Sequence, residues 1–178
     1  MRVGTARAAG FAIAAVAFAF DRWVKALVLG PWHLLEPGYT KYVMPFFSFT
    51  RANNFGVSFG MLTATSDTAR WLLVAMLSVI AAVVFAWLLR ERRLPDILPL
   101  GLILGGALGN IYDRVRYGFV VDYADLHIGE FRPFLISNFA DWAISIGVFI
   151  ILVRALFMRE KPASPQGDRP ADQPAENS

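Results

Sequence analysis

The sequence predicts an α-helical membrane protein: four transmembrane helices with a small extracytoplasmic antiparallel β-sheet. Three observations predict it. The 178 residues are 56% hydrophobic and 17% charged, with a mean hydropathy of +0.48, too apolar for an ordinary soluble domain of this length. Four apolar runs are each long enough to cross most or all of a hydrocarbon core of roughly 30 Å. Between the first two lies a stretch dense in helix breakers and aromatic residues. The absence of Cys excludes disulfides, thiolate metal ligands and a Cys nucleophile. The formal charge of +3 comes from basic residues beside apolar blocks. Membrane lipid is therefore an expected partner and nucleic acid is not.

Arg2 and Arg7 precede an apolar run that begins like a signal peptide, but no small-residue cleavage site follows. The run continues through Asp21, Arg22 and Lys25, which predicts a retained helix over residues 8–29. Residues 30–68 carry Pro31, Pro37, Gly38, Pro45, Gly56 and Gly60, too many breakers for a long helix. Within them, residues 43–50 and 55–61 are rich in aromatic and β-branched side chains, with Asn53 and Asn54 between. That pattern predicts a hairpin turning at the two asparagines. Its aromatics, Tyr42, Phe46, Phe47, Phe49, Phe55 and Phe59, are expected against lipid headgroups.

A second helix is predicted over 70–89, where nineteen consecutive residues from Trp71 lack charge and Arg90, Glu91, Arg92 and Arg93 stop the run. Pro95 and Pro99 open a third, over 95–113, which Asp113 and Arg114 close. Residues 115–137 form a second extramembrane segment of mixed charge, and a fourth helix covers 138–155. Residues 1–160 thus form one membrane-embedded domain, and 161–178, rich in Pro, Ala, Asp and Gln, a disordered cytoplasmic tail. An even helix count puts both termini on one side. Arg2, Arg7, Arg154, Arg159 and the basic cluster at 90–93 mark that side as cytoplasmic.

Counting helical rise from each cytoplasmic anchor converts sequence position into depth. Asp21 lies about 21 Å from Arg7, Asn110 about 25 Å from Arg93, and Asp141 about 20 Å from Arg154. All three fall in the outer third of the bilayer, where an ionisable group needs a partner or a wet cavity. Asp21 and Lys25 are spaced i, i+4 and can pair. Asn138 stands where a helix cap belongs, Asp113 and Arg114 are placed for an ion pair at a helix end, and Gly101, Gly105 and Gly109 have the spacing of close helix packing. Asp122 follows the apolar lead Phe119, Val120 and Val121, and Asp141 lies inside an apolar run. Two acids meeting in a partly dry site share a proton, which suits hydrolysis of an amide. The same acids also suit helix capping or a proton relay.

Five blocks carry a resemblance: Asp21-Arg-Trp-Val-Lys25, Asn54-Phe-Gly-Val-Ser-Phe59, the run from Gly105 through Asn110 to Asp113-Arg114, Gly118-Phe-Val-Val-Asp122 and Asn138-Phe-Ala-Asp141. In this order, over about residues 15–150, the chain resembles the lipoprotein signal peptidases (signal peptidase II). The resemblance implies an aspartyl endopeptidase of the bacterial inner membrane that cuts diacylglyceryl-modified prolipoproteins on the amino side of the lipidated Cys. It implies Asp122 and Asp141 as the catalytic pair, Asn54, Asn110, Arg114 and Asn138 at the substrate, and Asp21, Lys25 and Asp113 in support. It implies no cofactor or metal, substrate signal peptides and membrane lipids as partners, a monomer, and an active site on the extracytoplasmic side. Ser137, Trp142 and Tyr123 depart from the usual family residues at their positions.

A proton-coupled transporter or channel is the competing expectation, since buried Asp and Lys also mark ion pathways. An assembly scaffold would use the glycines but leave the acids idle. His33 and His127 are isolated and no HExxH occurs, which disfavours a metalloprotease.

Overall fold

The computed structural model describes residues 3–32, 34, 36–57, 62, 63 and 67–157. The expected tail at 161–178, His33, and Ser58 and Phe59 of the second block lie outside the described residues. Four helices carry the structure: α1 (Val3–Leu29), α2 (Asp67–Arg90), α3 (Leu94–Tyr117) and α4 (Phe139–Phe157). Among the described residues α2, α3 and α4 are long and apolar enough to cross a membrane. A three-stranded antiparallel sheet, ordered β1 (Thr40–Met44), β2 (Phe47–Asn54), β5 (Val120–Leu126), sits at one end, beside a short pair formed by β3 (Gly56–Val57) and β4 (Leu62–Thr63).

Helix α3 is the central post, and its glycines set how closely the others approach. A Cβ at Gly101 would fall 2.5 Å from the Gly10 carbonyl oxygen, and one at Gly105 2.5 Å from that of Ala14. Gly106 faces the Ala140 carbonyl of α4 at the same distance. The 101/105 spacing is thus a packing seam against α1, as small residues four apart provide. Gly109 continues the row for another reason: a Cβ there would meet Asp21 Oδ2 at 2.6 Å. The helix does not stop at Asp113 and Arg114, as the charge pattern suggested. It runs one more turn to Tyr117 and ends on Gly118, whose φ of 86° supplies a left-handed cap with its N–H on the Arg114 carbonyl.

The hairpin turns elsewhere than expected. Pro45 and Phe46 make the turn, and β2 runs straight through Asn53 and Asn54. The reason is local. Proline suits a turn, where the amide it lacks is not needed. The Asn54 side chain instead accepts the Gly56 N–H at 3.0 Å, bending the chain after the strand has ended. Residues 115–137, expected only as an extramembrane segment, contain β5, which pairs with β2 from Phe47↔Leu126 to Asn54↔Val120. Phe47 and Phe49 do not face headgroups. They pack with Val121, Tyr123 and Ala124 of β5 over Val24, Val28 and Leu34, seating the sheet on the end of α1. Tyr42, Phe46 and Phe55 are exposed.

Candidate active site

The site forms where β5, the start of α4 and the outer end of α3 meet. An isolated bridge between Ala124 and Ser137 ties β5 to the residue just before α4, through Tyr123 and Ala124 N–H groups on the Ser137 carbonyl and the return bond from Ser137. Asn138 is thereby fixed beside Asp122, and its Nδ2 donates to Asp122 Oδ1 at 2.6 Å. Asn138 also caps α4. Its Oδ1 accepts the Asp141 N–H at 3.0 Å, and its own N–H donates to Asp141 Oδ2 at 3.2 Å. This reciprocal box satisfies two backbone donors and places a carboxylate in the first helical turn, where the helix dipole favours negative charge. The expectation of a helix cap at Asn138 holds, and the same side chain that caps α4 also bonds the Asp122 carboxyl.

The remaining oxygens of the two acids are held by neutral amides. Asn54 Nδ2 donates to Asp122 Oδ2 at 3.1 Å, and Asn110 Nδ2 to Asp141 Oδ1 at 2.7 Å. Lys25 Nζ donates to Asn110 Oδ1 at 3.2 Å, which fixes which end of that amide faces Asp141. Asp122 is 2% exposed. Burial first, and then the charge of Asp141, push its carboxyl up from 3.8 to about 7, against the pull of the Asn138 and Asn54 amides.

Behind this layer is a buried ionic cluster. Lys25 contacts Asp21 Oδ2 at 2.9 Å and Asp113 Oδ2 at 2.8 Å, all three side chains fully buried. Asp113 pairs with Arg22 and accepts the Val121 N–H, so it does not pair with Arg114 as the sequence suggested. On a helix, adjacent residues point apart, and Asp113 faces α1 instead. Asp21 Oδ1 accepts the Ala140 N–H at 3.2 Å, linking α1 to the first turn of α4. Arg114 turns the other way, donating to the Asn110 and Gly56 carbonyls, with its Nε buried and unpartnered.

A groove of about 420 Å³ opens between α2, α3 and α4. Asn54, Asn110, Arg114 and Asp141 line its polar end, while Leu77, Ile80 and other apolar side chains wall the rest. Asp122 lies behind it, bonded to Asn54. The arrangement joins two acids tied through Asn138, neutral amides and a long apolar slot. The signal peptidase II family model matches residues 13–157. The chain belongs to the signal peptidase II family.

The chain is accordingly a peptidase and a bacterial membrane protein. A lipoprotein signal peptidase of Sphingopyxis alaskensis is 51% identical over 152 residues, covering 85% of this chain and 87% of the relative. Another, from Rhizorhabdus wittichii, is 48% identical over 154 residues, 86% of this chain and 89% of its own. A solved bacterial membrane enzyme matches with a TM-score of 0.73 at 26% identity, over 87% of this chain and 93% of that one.

The three departures from usual family residues turn out to be coupled to the same helix start. The Trp142 indole donates to the Ser137 hydroxyl at 2.9 Å, and the Tyr123 hydroxyl accepts the Phe139 N–H, the first amide of α4. Sequence reasoning missed Arg22 as the partner of Asp113, because no spacing rule relates residues 91 apart. It also missed Arg70, which reaches from α2 to the Arg114 and Val115 carbonyls at the end of α3. A lone Arg at the start of an apolar helix gives no sign of that.

Proposed function

We propose that Asp122 and Asp141 are the catalytic pair of an aspartyl endopeptidase that removes signal peptides from diacylglyceryl-modified prolipoproteins, on the amino side of the lipidated Cys. The observation that carries this is a single residue, Asn138, that bonds the Asp122 carboxyl through its side chain and the Asp141 carboxyl through its backbone N–H, with Asp141 lining the polar end of an apolar groove. Asp122, with its carboxyl pushed to about 7, keeps its proton near neutral pH and hydrogen-bonds the scissile carbonyl oxygen. Asp141, facing the groove, takes a proton from water as the water oxygen bonds the carbonyl carbon and Asp122 protonates the carbonyl oxygen. The tetrahedral intermediate collapses as the C–N bond breaks. Asp141 gives its proton to the leaving amine, and Asp122 recovers one from the gem-diol hydroxyl.

Asn54, Asn110 and Asn138 orient the acids and substrate backbone without adding charge to a low-dielectric site. Arg114 presents its guanidinium to a substrate carbonyl or to ester oxygens of the diacylglyceryl group. Asp21, Lys25 and Asp113 hold α1, α3 and α4 in register behind them. The apolar wall accepts acyl chains from the bilayer.

Helix α1, 27 residues long, serves as the fourth span, so both termini are cytoplasmic and the sheet and site are extracytoplasmic. Residues 1–160 act as one monomeric domain in contact with lipid, and 161–178 as a cytoplasmic tail. A transporter would need polar groups along a whole path. Between the Asp96–Arg154 pair at one end and the Asn110–Asp141 contact at the other, the spans carry only the hydroxyls of Ser78 and Ser145.

The test compares one precursor with and without the diacylglyceryl group on its Cys, incubated with enzyme in lipid. Cleavage of the lipidated form alone is expected. Equal cleavage of both would remove the lipid-reading role, and cleavage of neither would remove the peptidase assignment.

A further inference from the structure

A second polar cavity, of about 510 Å³, lies at the far end of the sheet from the acids. Strand β2 separates the two, and its seven steps from Phe47 to Asn54 span roughly 24 Å at about 3.4 Å each. On one side the cavity is walled by Tyr42, Val43, Met44 and Pro45 at the β1–β2 turn. On the other are His127, Gly129, Glu130 and Arg132. There Gly129, at φ 59°, turns the chain so that Ile128 and Phe131 bond to each other in both directions.

The rim and one wall of this cavity differ in chemistry. Tyr42 is 76% exposed, Ile128 70% and Phe131 65%, with Val43, Met44 and Phe46 exposed beside them. Two adjacent turns tipped with aromatic and aliphatic side chains are suited to a bilayer interface and costly in water. One wall carries exposed charge of both signs. Arg132 uses its Nε on Asp125, at 3.3 and 3.2 Å from the two carboxylate oxygens. Asp125 is fully buried and also takes the Thr50 hydroxyl at 2.9 Å. The guanidinium is therefore held by one edge, and its terminal nitrogens contact no acceptor among the described residues. Glu130, on the same wall, makes no ion pair among those residues. His127 is bound through Nε2 to the Ser48 hydroxyl at 2.8 Å, while its buried Nδ1 has no partner.

We infer that this cavity binds the headgroup of a zwitterionic phospholipid, with the phosphate on Arg132 and a primary ammonium on Glu130. A cation anchored by one edge and an unpaired carboxylate lining the same cavity match the two charges of a phosphoethanolamine group. The apolar rim places the site at the depth where headgroups lie. A peptide ligand would use the charges but leave the rim exposed to water. The lipid would clamp the outer end of the sheet to the membrane, so that the Asn54 end stays level with the groove.

The full chain in detergent micelles, titrated with phosphatidylethanolamine, phosphatidylcholine or phosphatidylglycerol of identical acyl chains and read by native mass spectrometry, tests this without using catalysis. Phosphatidylethanolamine should be retained about tenfold more tightly than the other two, the ratio one charge-assisted hydrogen bond supplies. Arg132→Gln should weaken retention of all three lipids, and Glu130→Gln should erase the preference while leaving the melting temperature unchanged. Equal retention of the three lipids by the unmodified chain, or a preference that survives both substitutions, overturns the inference. So does displacement by soluble glycerophosphoethanolamine as efficient as by the lipid, which would mark a site for free phosphate esters. Displacement by a peptide from the mature region of a precursor would instead assign the cavity to substrate and equally overturn it. Because the readout is lipid retention, it stands or falls separately from the assignment of the acids.

Discussion

Replacing Asp122 with Asn should change the stability of the protein in a pH-dependent way, with a sign fixed by the direction of its shift. The carboxyl titrates at about 7 in the folded protein against 3.8 unfolded. Between those values the unfolded chain has released a proton that the folded chain still holds, so raising the pH favours unfolding. The penalty starts near pH 4 and is complete above pH 7. A shift of about three units at roughly 1.4 kcal/mol each sets its ceiling near 4 kcal/mol. Asparagine removes the ionisation but brings its own cost. It can accept from only one of the Asn138 and Asn54 amides and turns its NH2 toward the other, worth roughly 1–3 kcal/mol at every pH. Asp122→Asn should therefore be less stable than the parent at pH 4 and as stable or more so at pH 8. The swing is about 4 kcal/mol, or roughly 8–16 °C in melting temperature for a chain of this size. Thermal unfolding in detergent at pH 4, 6 and 8 reads it directly. Parallel curves for parent and variant would refute the reasoning, because they would mean that Asp122 carries no raised pKa.

Peptidase activity should fall as pH rises through about 7, since Asp122 must hold its proton; a rate that climbs to pH 9 would contradict that role. Asp113→Asn breaks a buried contact with Lys25 and Arg22, worth roughly 3–5 kcal/mol. It should lower the yield of folded protein in detergent extraction more than the turnover of what folds. Gly109→Ala puts a methyl group 2.6 Å from Asp21 Oδ2 and should cost about 1–3 kcal/mol in thermal unfolding; an unchanged melting temperature would mean α1 and α3 are not so closely packed. Activity should survive EDTA, and a loss restored by added metal would point to a different chemistry.

The sequence exposed most of the site because polar residues in apolar runs are costly and so stand out. Helical rise alone put Asp21, Asn110 and Asp141 at one depth, and the folded chain links them through Lys25 and the Ala140 amide. Asn138 was legible as a cap because capping is local. What sequence could not supply were pairings with no local rule. Asp113 looked like the partner of its neighbour Arg114, yet facing across to α1 it meets Arg22 and Lys25. The hairpin was displaced because two asparagines resemble a turn as much as Pro45 does, and only pairing of β2 with β5 shows that the strand continues through them. Ser137, Trp142 and Tyr123 read as isolated departures, and their shared purpose at the start of α4 is visible only once the chain is folded.

The central claim is tested most directly by turnover of a diacylglyceryl precursor by folded Asp122→Asn, Asp141→Asn and the double variant, in lipid at pH 6. Each single variant should lose roughly 10³-fold or more, the scale of a missing general acid or base. The double variant should lose little further, because a general acid and a general base that serve the same step act as a unit. Either single variant retaining turnover within about tenfold of the parent would contradict the account.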